Sequence, residues 1–171
     1  MKNTNFFSKR TAENFRDAKC RDRRVLISIT TPAVPDTMSR FCKPAVLFED
    51  TWKDVLRLEF DDADPSLISQ ILIEKRYRLF NEEDAIKVLK FLKMHQANTE
   101  DAFVHCEAGI SRSAAVSKFI AHIYSLPFPE QYSIYNKHVF STLLRVYGES
   151  LYGDVLMPAK DLPGPIEGVT K

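Results

Sequence analysis

Between residues 102 and 124 the chain passes from strand to helix across one short turn, and this passage constrains the fold more than any other stretch. Ala102 to Cys106 reads as a buried strand ending on a cysteine, and Arg112 to Tyr124 as an apolar, closely packed helix. The turn between them, Glu107-Ala108-Gly109-Ile110-Ser111, holds the only glycine before residue 148. Two features predict an anion site. The backbone N–H groups of so tight a turn can converge on one point, and the positive end of the following helix is aimed there too. A cysteine at that point is easier to ionise, because the dipoles that bind phosphate also stabilise a thiolate.

The remaining chain supplies a frame for this turn. Its 171 residues suit a single domain with a real core. A formal net charge of +1 gives no global field toward nucleic acid or an anionic membrane. No apolar run approaches the ~20 residues of a membrane span. Phe6 and Phe7 have no continuous apolar core or small-residue cleavage site beside them, so no signal peptide is read. The three cysteines, Cys20, Cys42 and Cys106, are too few and scattered for a disulfide scaffold or a zinc site. The expectation is a cytoplasmic protein with reduced thiols.

Residues 1–24 are polar and basic and are expected as an arm or helix packed on the domain edge. Residues 25–156 are expected to form the folded domain that carries the turn. Residues 157–171, with Pro158, Pro163, Gly164, Pro165 and Gly168, read as a loose tail. Within the domain, Val25 to Thr30 is a buried strand, and Ala45 to Phe48 fits a helix end or a short strand. Val55 to Phe60 alternates apolar residues with Arg57 and Glu59, a strand with one face partly wet. It runs into Asp61-Asp62-Ala63-Asp64-Pro65, where Asp64 and Pro65 can open a helix striped by Leu67, Ile68, Ile71 and Leu72. Another helix starts at Asn81, with Glu82, Glu83 and Asp84 suiting the dipole of its first turn. Asn136 caps a last helix through Tyr147, with Gly148 as its terminator.

Strands alternating with helices predict an α/β fold: a central, mostly parallel sheet of about four or five strands flanked by helices. Such sheets bind ligands beyond the carboxyl ends of their strands, which is where Cys106 and Asp62 both fall. A phosphate monoester would find donors there in the six N–H groups from Glu107 to Arg112, through Ala108, Gly109, Ile110 and Ser111. Arg112 adds a planar fork able to hold two oxygens at once. Cys106, as thiolate at the base of the cradle, could attack phosphorus and form a phosphocysteine intermediate. Ser113 could donate to the sulfur as it leaves. Ser111 could fix the loop or donate to phosphate, and His105, pointing away by strand alternation, would help hold the loop.

The motif resembles the signature of the cysteine-based protein tyrosine phosphatase superfamily, His-Cys-x5-Arg-Ser/Thr, matched at His105, Cys106, Arg112 and Ser113. The ending Gly109-Ile110-Ser111-Arg112-Ser113 is similar to the dual-specificity branch. The resemblance is carried by residues 102–124 and, over Val25 to Tyr147, by element order alone. It implies a protein tyrosine phosphatase-like sheet, no metal, a phosphoprotein substrate, and two-step hydrolysis through a cysteinyl phosphate. It also implies a general acid, an aspartate on a neighbouring loop. Side chains alternate along Val55 to Phe60, so Asp61 and Asp62 face different ways, and Asp62 is the choice. Asp61 and Asp64 are the alternatives, with Glu74 and Glu82 left open, because the 44 residues from Asp62 to Cys106 exceed what is usual in small dual-specificity enzymes. The segment Pro65 to Arg78 would then be an insertion near the site entrance.

Charge bears on the substrate. Superfamily members acting on inositol lipids or RNA 5′ ends tend to carry lysine or arginine at the variable loop positions, which here are Glu107, Ala108 and Ile110. An acid and two apolar residues favour a single phosphate on an aromatic ring, hence phosphotyrosine, with phosphoserine and phosphothreonine open. Three other classes compete. A phosphatase for inositol phosphates, lipids or RNA 5′ phosphates draws on the basic N-terminal residues. A non-hydrolysing phosphotyrosine-binding module would lack the nucleophile, arginine or acid. A thiol oxidoreductase would need Cys20 or Cys42 as resolving cysteine, and neither is suitably spaced.

Overall fold

The computed structural model describes residues 1–33, 42–65 and 77–152. The described residues hold one four-stranded sheet in the order β1-β4-β2-β3, with every neighbouring pair parallel. The strands are β1 (Asn3–Ser8), β2 (Arg24–Thr30), β3 (Asp54–Glu59) and β4 (Asp101–Cys106). The helices are α1 (Lys9–Asn14), α2 (Glu82–His95), α3 (Arg112–Ile123) and α4 (Lys137–Tyr152). Short 3-10 turns occupy Ala18–Arg23 and Glu49–Thr51.

Alternation along the two central strands divides the core into two layers. Val25, Ile27 and Ile29 of β2 and Ala102, Val104 and Cys106 of β4 face the helices, packing with Val88, Leu92, Val116 and Phe119. Each Val, Leu, Ile or Phe among them contributes about 1.5–3 kcal/mol on burial. On the opposite face Phe103 meets Phe7, Phe15 and Trp52, with ring centroids 5.5–5.7 Å away. β2 is paired on both sides, which explains its run of five buried residues, whereas β3 alternates and keeps a partly wet face.

Local signals fix the helix starts. The Ser8 hydroxyl accepts from Thr11 N–H at 3.2 Å to open α1. Asn81 and Asp84 form a reciprocal capping box on α2. Asn136 Oδ1 accepts from Val139 N–H at 3.0 Å on α4. α3 ends where Ser125 enters the left-handed region at φ 52°, ahead of Pro127 and Pro129.

Three expectations need correction or limits. The N-terminal segment, expected as an arm or helix packed on the domain edge, holds a short packed helix at Lys9–Asn14 and, unforeseen, a strand of the sheet. Asn3–Ser8 pairs with β4 as an edge strand, and Ala12 and Phe15 help cover the second face of the sheet. Its charges hide this, because one edge strand and one short helix need only a few apolar anchors. Gly148 does not terminate α4, which continues to Tyr152. A Cβ at Gly148 would meet nothing within 4 Å, so the glycine costs only its intrinsic ~1 kcal/mol of helix propensity. Ala45 to Phe48 is neither helix nor strand. The helix expected over Leu67 to Leu72 and the tail from residue 157 lie outside the described residues.

Candidate active site

The carboxyl ends of all four strands converge on the loop after β4. Cys106 is the last residue of β4, in register with Ser8, the last of β1. Cys106 is 1% exposed. Ser113, the second residue of α3, is fully buried, with its Oγ 3.1 Å from Cys106 Sγ, where the hydroxyl can donate to a thiolate.

Gly109 makes the turn possible in two ways. Its φ is +72°, which side chains resist, and a Cβ there would lie 2.3 Å from the backbone of Phe7 and Ser8. The end of β1 is therefore pressed against the loop. The loop carbonyls are tied outward. Glu107 C=O accepts from Lys9 N–H (3.3 Å), Ile110 C=O from the Tyr132 hydroxyl (2.7 Å), and Ser111 C=O from Ala115 and Asn136 N–H (3.0 and 3.2 Å). Peptide planarity sets each N–H opposite its carbonyl, so Ala108, Ser111 and Arg112 N–H turn the other way, toward the hollow. Among the described residues no carbonyl accepts from the N–H groups of Ala108 to Ser111. Free donors gathered at a helix N-terminus suit an oxyanion.

Arg112 opens α3 and is 5% exposed. Its Nη1 donates to Phe60 C=O at 2.7 Å and to Thr31 Oγ1 at 3.0 Å, so the ends of β3 and β2 clamp the guanidinium. Its Nε makes no hydrogen bond among the described residues and lies 4.0 Å from Asp62 Oδ2. One edge of the fork is thus left for another acceptor.

Among the sequence-derived acid candidates, Asp62 is brought onto the cradle, beside Ser111 and Arg112. Its Oδ1 accepts from Ser111 Oγ at 2.7 Å and from Asn136 Nδ2 at 3.0 Å, while its side chain stays 40% exposed. Asp61 turns away and clasps Arg78, exchanging two 2.8 Å bonds through its N–H and its Oδ2. Asp64 lies further along the same loop. Glu82 pairs with Arg145 at 2.7 Å, and Glu74 falls outside the described residues.

His105 is fully buried, its Nε2 2.8 Å from Ser28 Oγ on the neighbouring strand. Burial pushes its imidazole pKa down to about 4, and the positive charges of Arg57, Lys9 and Arg112 push the same way. The Cys106 backbone opposes this, yet Nδ1 has no hydrogen bond of acceptable geometry, so the ring is neutral at pH 7. Glu107 is not an isolated charge, since Lys9 Nζ stands 3.8 Å from its carboxylate. Ala108 and Ile110 lie on the open rim, Ile110 being 45% exposed. Burial, and then the charge of nearby Cys106, raises the phenol pKa of Tyr132.

Thr31, Tyr132, Asn136 and Lys9 join the site without having been singled out for it. Asn136 is legible as a helix cap, but its bond to Asp62 spans 74 residues and has no local sequence signal. Tyr132 sits in a Pro-flanked stretch with no periodicity to reveal its contact.

Solved structures that align with the chain include two described by their titles. One is titled "Crystal structure of Tk-PTP in the active form" (14% identity, TM-score 0.38, 86% of this chain and 80% of that one). The other is titled "Crystal Structure of PTPMT1" (16% identity, TM-score 0.43, 88% of this chain and 96% of that one). Likeness at these values is too distant to carry chemistry across. No protein-family model and no curated protein matches the chain.

Proposed function

We propose that this chain is a metal-independent phosphatase that hydrolyses phosphotyrosine in proteins, with phosphoserine and phosphothreonine as secondary substrates, through a cysteinyl phosphate. The observation that carries the proposal is a carboxylate, Asp62, held 2.7 Å from Ser111 of a loop whose base is Cys106. In the first step the Cys106 sulfur forms a bond to phosphorus as the bond to the leaving oxygen breaks, and protonated Asp62 gives its proton to that oxygen. The loop N–H groups and Arg112 hold the equatorial oxygens, where charge spreads. In the second step water adds to phosphorus, its proton passes to Asp62, and the sulfur departs as thiolate toward Ser113. Inorganic phosphate is released. The exposed Ile110 supports an aromatic substrate, as an apolar wall beside the hollow.

The test is turnover of an aryl phosphate under reducing conditions with chelator present and no metal added, blocked by vanadate. Cys106→Ser should abolish turnover and keep phosphate binding. An inactive wild-type protein would sink the proposal, and equal rates in both proteins would assign the turnover to a contaminant.

A second reading, a phosphatase of inositol phosphates, lipids or RNA 5′ phosphates, gains from the Lys9–Glu107 contact. That pairing offsets the charge by which Glu107 would repel a polyanion. Side-by-side rates on phosphotyrosyl peptide, inositol phosphate and RNA triphosphate decide between them.

A further inference from the structure

Asn136 is tied to more than the helix it caps. It is 5% exposed, and all its polar groups are engaged. Its N–H donates to Ser111 C=O (3.2 Å) and its C=O accepts from Phe140 N–H (3.2 Å). Its Oδ1 accepts from Val139 N–H (3.0 Å), and its Nδ2 donates to Asp62 Oδ1 (3.0 Å) and Ala63 C=O (3.4 Å). This network fixes the amide orientation. A backbone N–H can only donate, so the Asn136 oxygen must face Val139, and the NH2 group must face the carboxylate and the carbonyl.

A cap needs only the Val139 contact, which serine or aspartate could also make. The amide nitrogen does something further. With Ser111 Oγ it places two donors on Asp62 Oδ1, which leaves Oδ2 as the oxygen free to carry a proton. Oδ2 is also the oxygen 4.0 Å from Arg112 Nε, at the edge of the phosphate cradle. We infer that Asn136 is a positioning residue that locks the acid loop to the cradle and selects Asp62 Oδ2 as the proton-bearing oxygen. The inference rests on the reading of Asp62 as general acid. The backbone of Asn136 holds Ser111, its side chain holds Asp62, and the two loops keep a fixed spacing.

The experiment compares two esters, one with a strongly acidic phenol that leaves without help, and phenyl phosphate, which needs the proton. Asn136→Asp keeps an oxygen for Val139 and replaces the donor by an acceptor, and Asn136→Ser keeps a capping hydroxyl. Both should lose about 10–100-fold in kcat on phenyl phosphate, at least tenfold more than on the activated ester. Combining Asn136→Ser with Asp62→Asn should cost nothing beyond Asp62→Asn alone. Melting temperature is recorded for each, and if Asn136→Asp unfolds the split is read on Asn136→Ser. Equal losses on the two esters, or full additivity in the double variant, would overturn the inference while leaving phosphatase activity standing. A wild-type protein inactive on both esters would overturn the proposed function and this inference together.

Discussion

His105 makes stability depend on pH in a window that its burial defines. Its pKa in the folded protein is about 4, first because burial disfavours the charged ring and then because Arg57, Lys9 and Arg112 repel it. The ordinary value, 6.5, applies once the chain unfolds. Between these limits the unfolded chain holds a proton that the folded chain refuses, so stability falls as pH falls. The slope approaches about 1.4 kcal/mol per pH unit near pH 5 and sums to about 3 kcal/mol by pH 4. His105→Gln keeps a polar group for Ser28 and cannot titrate there. Urea unfolding of both proteins at pH 7, 6, 5 and 4 isolates the effect, because carboxylates common to both cancel in the difference. The advantage of His105 over the variant should shrink by about 3 kcal/mol from pH 7 to pH 4. Parallel stability curves would refute the reasoning, and would mean that the imidazole takes its proton inside the folded sheet.

Two other changes probe the loop itself. Gly109→Ala forces a Cβ to 2.3 Å from the Phe7 and Ser8 backbone at a φ of +72°. It should destabilise by more than the ~1–2 kcal/mol of the left-handed conformation alone, and should weaken phosphate binding measured by calorimetry. Tyr132→Phe removes the 2.7 Å bond to Ile110 C=O, costing about 1 kcal/mol of stability by thermal unfolding. If that bond orients the Ser111 N–H, vanadate should bind the variant more weakly, and unchanged vanadate affinity would exclude this role for Tyr132.

What was legible in the sequence is what depends on short-range pattern. The switch of period around Gly109 gives a strand, a turn and a helix in one unbroken passage, and the alternation of Val55 to Phe60, carried past the strand end, separates Asp61 from Asp62. The structure sets Asp61 against Arg78 and Asp62 against Ser111, both just beyond the end of β3 at Glu59. What could not be read depends on contacts between distant segments. The two strand ends that clamp Arg112, at Thr31 and Phe60, lie 81 and 52 residues away in sequence. β1 escaped notice because it is an edge strand of mixed polarity, and only pairing with β4 shows it to be a strand. Lys9 likewise looked like one charge in a basic segment, and the fold gives it Glu107.

The place of β1 sets the order in which this protein can be assembled. Strand β1 has its partner in β4, and the Asn3–Asp101 side-chain bond joins residues 98 positions apart. Contacts of such separation form late, because the loop-closure entropy comes due before the contact can reward it. Ser8 and Phe7 are also the residues that Gly109 packs against, so the anion-binding loop takes its final shape only when the two ends of this long circuit meet. On the proposed function, phosphate binding would therefore become a reporter of completed folding.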